Sequence, residues 1–459
     1  MSILRSRELD LTQGVIWKQL LLFFIPIWCG VFFQQLYNTV DTIIVGRLVG
    51  TAALAAVGDT AAFIDLLIGF FTGLSSGATI IIAQFFGAHE NELMGRGAHT
   101  ALILSVLAGL LFTFIGYFSA PYVLLAMDTP DEIIGLSVLY LRVFCIGMIP
   151  NAIFNMGTGI LRAVGDSTRP VWFLAAACVC NIALDLLFVV AFRLGVAGVA
   201  AATVISQFLS AVLVLWSLSR PSRGAVRLYL SRLRPDWRIA GRILKVGIPA
   251  ALQSSMYSIT NVFIQAGVNY FSTATIAAWA VYGKLDFIYW MSINSLGMSL
   301  TTFSSQNFGA GKMDRMKKGV RSALLIGLII TGVYGSMLLL FGRQLFGIFT
   351  ADTAVVSIGV SMMRILVPSY VLFLGIEVCA DAIRGTGDVI VPMIITCLSI
   401  CVLRLAWLFL VLPHYREFFM LCLSYPITWG VGSVLFILYY RFGHWRERQL
   451  SAHGIKKTN

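Results

Sequence analysis

Twelve times along its 459 residues this sequence runs for about twenty positions or more through apolar residues with few charges. That recurrence decides the solvent in which it can fold, because about 20 helical residues cross the roughly 30 Å hydrocarbon core of a bilayer. The stretches are 17–45, 52–82, 97–120, 133–158, 170–192, 195–218, 240–270, 275–303, 320–342, 355–383, 390–412 and 418–441. In lipid each span must satisfy its own backbone hydrogen bonds, so the expectation is an all-α polytopic membrane protein. Composition agrees. Hydrophobic residues make up 58% of the chain and charged residues 12%, and the mean hydropathy is +0.87, more apolar surface than a soluble fold can hide.

The polar opening, MSILRSRELDLTQGVIWKQ, has no small-residue cleavage site and reads as no signal peptide. All eight cysteines lie in apolar stretches without a CxxC pair, as small buried hydrophobes do. The five histidines (His89, His99, His414, His444, His453) show no metal-ligand spacing. A net charge of +12 could suit nucleic acid, but 25 of the 33 Lys and Arg fall in the tails, in loops after even-numbered spans or in the span ends that adjoin them. Only Arg47, Arg193, Arg343 and Arg416 lie in loops after odd-numbered spans. That asymmetry is the positive-inside rule; it places both termini in the cytoplasm of a cell with the protein in its plasma (bacterial inner) membrane, and calls for no nucleic-acid partner. The basic run from Arg220 to Lys245 is then a cytoplasmic connector able to touch anionic headgroups.

The chain is also written twice. AQFFGAHENELMGRGAHTAL (83–102) aligns with SQNFGAGKMDRMKKGVRSAL (305–324), with Gln84/Gln306, Gly87/Gly309 and Gly97/Gly319 each 222 residues apart. TAALAAV (51–57) and TATIAAW (273–279) keep that offset, as do LRAVGDSTRP (161–170) and IRGTGDVIVP (383–392). An offset so constant implies a duplicated block of six spans. Six is even, so both copies enter from the same side, as parallel repeats about an axis along the membrane normal. The expected domains are an N-terminal six-helix lobe (1–218), a basic cytoplasmic connector (219–238) and a C-terminal six-helix lobe with a basic tail (239–459), the lobes facing a central cavity. The Gly-Asp turns follow from turn and cap chemistry and carry fold information.

Two six-span halves, FGA near the end of the second span of each and R-x-x-GD-x-x-x-P after the fourth, resemble the multidrug and toxic compound extrusion family. LYNTVDTIIVGRLVG, YLRVFCIGMIPNAIFNMGTGILRAVGDSTRP, and NIALDLLF followed by GVAGVAAATVISQ resemble its DinF-like and MepA-like bacterial branch. The match runs over nearly the whole chain. It implies a secondary transporter, not an enzyme, that exports organic and often cationic, lipophilic compounds in exchange for Na⁺ or H⁺. No cofactor beyond that coupling ion is implied.

The carboxylates can be placed by depth. Asp41 stands six residues before Arg47, roughly 9 Å below the outer end of span 1 at 1.5 Å per residue. Asp185 lies roughly 10 Å and Thr203 roughly 12 Å from the same surface, on spans 5 and 6. Asn181 is one turn from Asp185 on the same helix face. Four polar groups on three helices can therefore meet. Two carboxylates, an amide and a hydroxyl suit a hard monovalent cation such as Na⁺; alternatively the carboxylates share a proton, since like charges at close range resist ionising together. Either occupant neutralises the site, and its loss recharges it. The family resemblance assigns the cation role to these same four positions. Tyr37 and Asn38, one turn before Asp41, are expected as supporting partners. The bland alternatives are an interfacial Asp41, since residues 20–39 alone can cross the bilayer, and helix-to-helix hydrogen bonds for Asn181 and Thr203.

Other intramembrane charges are Asp65, Lys284 and Asp286 (two residues apart, hence on different faces), Glu377, Asp381 and Arg404. Glu377 and Asp381, one turn apart and near Arg384, are reserve coupling candidates; pairing with Arg384, Lys284 or Arg404 is the structural alternative. Phe154, Met156, Tyr257, Trp279 and Tyr282 are candidates for an apolar, aromatic substrate cavity, although ordinary packing accounts for most such residues. A flippase for a lipid-linked saccharide is the competing reading, but it calls for a cationic cavity. An enzyme would need a His/Glu metal motif or a Ser–His constellation, and none is visible. The expected partners are organic small molecules and the lipid bilayer, with the protein acting as a monomer.

Overall fold

The computed structural model describes residues 9–220, 226–229, 234–443 and 445. Much of the expected connector, and the basic tail, lie outside the described residues. Among those described there is no strand. The chain forms α1 (Ile16–Ile44), α2 (Thr51–Gly87), α3 (Asn91–Ala126), α4 (Asp131–Ile146), α5 (Met148–Ala163), α6 (Thr168–Leu186) and α7 (Gly195–Ser219). The repeat then gives α8 (Trp237–Asn269), α9 (Thr273–Gly309), α10 (Met313–Gly347), α11 (Thr353–Arg384), α12 (Ile390–Thr396), α13 (Leu403–Leu410) and α14 (Phe418–Phe442). Widened π-helical turns occupy Val45–Val49, Leu187–Ala191 and Cys397–Val402.

These elements are the twelve expected spans. The fourth is bent by 48° between α4 and α5, at Gly147 and just before Pro150, the residues that most readily break a helix. The eleventh runs from α12 through its π turn into α13. Several helices outlast their apolar stretches: α2 and α9 have 37 residues each, roughly 55 Å at 1.5 Å per residue, more than a bilayer core. Among the described residues nine helical segments are long and apolar enough to cross a membrane alone, and α4 with α5 makes a tenth. α8 and α9 fall short because uncharged polar residues thin their apolar runs, among them Gln253, Ser254, Ser255 and Asn261 in the former and Ser292, Asn294, Ser295 and Ser299 in the latter. They are the repeat partners of α1 and α2.

Packing divides the chain into two compact units. The first holds Leu9, Asp10 and Ile25–Ser254; the second holds Leu11–Phe24 and the residues from Ser255 onward. The divisions fall inside α1, beside Pro26, and inside α8, shortly after Pro249, so the leading helix of each repeat begins in one unit and ends in the other.

In the first unit, small residues bring α2 and α8 together. A Cβ at Gly73 would stand 2.4 Å from Ala251 N, and one at Gly77 would stand 2.6 Å from Ile243 O. Backbones that approach this closely admit no side chain at the contact. Gly73→Val is therefore expected to destabilise the protein by about 1–3 kcal/mol or more, read as a lower melting temperature in detergent; an unchanged value would mean that the crossing yields.

In the second unit, the segment before α1 is held through its backbone. Leu11 N–H donates to Gln306 Oε1 at 3.0 Å, and Leu11 O accepts from Asn307 Nδ2 at 3.1 Å. Lys312 Nζ reaches Thr12 O at 3.0 Å, and Arg315 reaches the carbonyls of Leu11, Gln13 and Gly14. The turn at Gly165, with φ of +86°, suits glycine, and the Asp166 Oδ1 that follows caps α6 by accepting from Thr168 and Arg169 N–H at 3.1 Å.

Candidate functional site: a buried acid pair in the first unit

Asp41 ends α1 four residues before one π turn, and Asp185 ends α6 two residues before another. Such turns re-aim the residues beside them and recur at functional sites. The apolar side chains around them pack as one cluster: Ile44, Val45 and Val189 with Val196 and Val199 of α7 and Leu141 and Phe144 of α4. Burying these residues together draws the ends of four helices in, and the polar groups they carry come with them.

The four expected residues are brought together and buried. Asp41 is 8% exposed, Thr203 3%, and Asn181 and Asp185 0%. The carboxyl groups of Asp41 and Asp185 are close electrostatic neighbours, and the Tyr37 hydroxyl neighbours Thr203. Thr203 Oγ1 also donates to Val199 O at 3.1 Å. Asn38, by contrast, is exposed, and its carbonyl accepts from the Thr42 hydroxyl at 2.8 Å. One group escaped sequence reasoning. Tyr140 of α4 is 4% exposed and is an electrostatic neighbour of Asp41, Tyr37 and Asp185.

The cluster's polar atoms are poorly paired. Among the described residues no hydrogen-bond partner reaches Asp41 Oδ1, either oxygen of Asp185, or the amide oxygen and nitrogen of Asn181. Two carboxylates share an apolar shell, where an unsatisfied polar group is costly and an unpaired charge far more so. A proton or a cation between the carboxylates removes both penalties. The oxygen-only donor set fits a hard cation. Among the described residues no three His, Cys, Asp or Glu side chains cluster as metal ligands.

The second unit treats its acids differently. Asp381 Oδ1 pairs with Arg384 Nη1 at 2.7 Å, the paired arrangement weighed from the sequence, and Glu377 is half-buried on the preceding turn. Arg404 does not pair with Glu377. Its guanidinium lies 3.9 Å from the Tyr425 ring centroid and bonds Thr428 Oγ1 at 2.8 Å. Of the cavity candidates, Met156 and Tyr282 are buried, at 1% and 5% exposure, while Phe154, Tyr257 and Trp279 are partly exposed. Asp65 and Lys284 are exposed on their units.

A duplicated bundle of membrane-crossing helices with a pair of acids buried inside one unit is the architecture of a membrane transporter. A profile of the MatE family matches residues 26–187 and again residues 249–410, once in each repeat. The chain belongs to this family, the multidrug and toxic compound extrusion transporters, and is a multipass membrane protein. It is 29% identical over 447 residues to "Probable multidrug resistance protein YoeA" of Bacillus subtilis, covering 95% of this chain and 96% of that one. It is 22% identical over 360 residues to "Multidrug export protein MepA" of Staphylococcus aureus, covering 78% and 79% of the two chains. A crystal structure of a MATE protein in the bent conformation superposes with a TM-score of 0.90 at 24% identity, covering 97% of this chain and 99% of that one. That likeness bears on the fold alone: twelve transmembrane helices in two repeats.

Proposed function

We propose that the protein exports organic, often cationic and lipophilic compounds in exchange for Na⁺ or H⁺ bound at Asp41, Asn181, Asp185 and Thr203. It acts in the plasma (bacterial inner) membrane as a monomer, with both termini in the cytoplasm and no cofactor besides the coupling ion. The observation that carries this reading is the buried carboxylate pair, three of whose four oxygens no hydrogen-bond partner reaches among the described residues. Two unit charges about 4 Å apart repel by about 4 kcal/mol at an effective dielectric of 20, close to a thousandfold change in a two-state equilibrium. Binding a cation switches that term off; releasing it switches the term on. The π turns directly after both carboxylates are the places where α1 and α6 can change shape, which links ion occupancy to alternating exposure of a substrate site. The names of the relatives as multidrug resistance and export proteins support the substrate class.

The test is efflux of a fluorescent organic cation from vesicles, with a Na⁺ gradient and a proton gradient imposed separately. One gradient is expected to accelerate export. Export indifferent to both would overturn coupling at this site.

A further inference from the structure

Asp286 of α9 stands in the second unit, 13 residues into its helix and so roughly 20 Å from the Thr273 end. Its Oδ2 accepts from the Trp290 indole N–H at 2.8 Å. Its Oδ1 accepts from the Tyr370 hydroxyl and from the Tyr282 hydroxyl, the latter at 3.4 Å. These two hydroxyls are also 2.8 Å from each other. Tyr370 is held in place by Tyr289, stacked on it at 3.9 Å, whose hydroxyl donates to Tyr370 O at 3.0 Å and lies 3.2 Å from Thr331 Oγ1. The donors are fixed.

Among the described residues no counter-cation pairs with Asp286. The titratable groups facing Asp286 are Tyr282 and Tyr289 of its own helix, Tyr334 of α10, Tyr370 of α11 and Tyr425 of α14. Glu377 of α11 also bears on Tyr289. Lys284 is exposed two residues away, and among the described residues no ion pair reaches Asp286. Asp381, paired with Arg384, is the opposite case. A carboxylate at this depth without a cation is costly.

The chemistry of the shell says what can neutralise it. A tyrosine hydroxyl both donates and accepts, whereas a guanidinium only donates. When a proton sits on Oδ1, the Tyr282 and Tyr370 hydroxyls can turn to accept it and each other, leaving no group orphaned. When the proton leaves, both turn back to donate to the anion. Trp290, which only donates, sits on the other oxygen and serves both states. The arrangement tolerates either charge, and Asp286 itself is only partly buried.

We propose that Asp286 is a second proton-exchanging carboxylate, held in either charge state by the Tyr282–Tyr370 hydroxyl pair and separate from the cation site at Asp41 and Asp185. Its place in the transport cycle rests on the exporter reading; its protonation does not. Each exported cation then displaces a proton from the second unit in addition to the ion released by the first.

Infrared difference spectra of the protein in liposomes, acid minus alkaline, test this. The expected result is a carboxylic-acid C=O band that Asp286→Asn removes, Tyr370→Phe shifts and Asp41→Asn leaves in place. Adding tetraphenylphosphonium at fixed pH is expected to diminish the band. If Asp286→Asn folds and its spectrum superposes on the unsubstituted one, Asp286 stays ionised and the proposal fails. If that variant does not fold, an unshifted band in Tyr370→Phe overturns it instead. A band that titrates but ignores tetraphenylphosphonium overturns the exchange. Vesicles that fail to export while the band titrates and responds would strike only the exporter reading.

Discussion

Asp185→Asn is expected to lower vesicle export by about tenfold or more, since an interaction that drives the cycle is gone, without lowering the melting temperature. Loss of function usually travels with loss of stability when a buried residue changes. Here the two should part. Asn keeps the shape of Asp185 but removes one of two buried like charges, and its amide can donate to Asp41, which no donor now reaches at Oδ1. Ligand linkage supplies a second sign. A cation that binds the folded site raises stability by RT ln(1 + [L]/Kd), so the coupling ion should raise the melting temperature of the unsubstituted protein and leave the variant flat. A variant that still exports in step with the ion gradient would show Asp185 to be a packing residue.

The largest loss of folding is expected from Arg384→Ala. Asp381 is 6% exposed, its Oδ2 leans to 2.0 Å from where a Cβ of Gly297 would stand, and it pairs with Arg384. Removing one partner of a buried ion pair leaves an uncompensated charge and typically costs about 3–5 kcal/mol. Adding Asp381→Asn to Arg384→Ala should recover part of that cost. Chemical unfolding of the single and double variants reads the difference. A double variant no better than the single would mean that Arg384 acts through its other contacts.

The spans were legible because hydrocarbon leaves the backbone so few options. α8 and α9 show where that signal weakens: both read as apolar stretches, but uncharged polar residues thin them, and the 222-residue offset that pairs them with α1 and α2 supports the reading. The bend at Gly147 had its cue in Gly-Met-Ile-Pro. The π turns had none, since Val45–Val49 reads as an ordinary apolar helix end. At the site, Asp41, Asn181, Asp185 and Thr203 could be placed by counting from loop charges, because depth is one coordinate and a helix gives it directly. Tyr140 stands on a fourth helix, in a run, YLRVFCIG, where nothing marks an aromatic hydroxyl as part of a site. The Asp286 shell could not be read at all: Tyr370 lies 84 residues away, and only the rotation of α11 against α9 decides that its hydroxyl meets a carboxylate.

Neither unit is a continuous length of polypeptide, and this bears on how a ribosome must make the protein. Leu11–Phe24 leaves the exit tunnel near the start of synthesis, yet its seat at Gln306, Asn307, Lys312 and Arg315 is translated some 300 residues later. The α2 groove at Gly73 and Gly77 likewise waits for Ala251 and Ile243 to be translated. The nascent chain must therefore hold two unfinished surfaces apart through most of its insertion, and a fragment released at residue 218 would carry both of them bare.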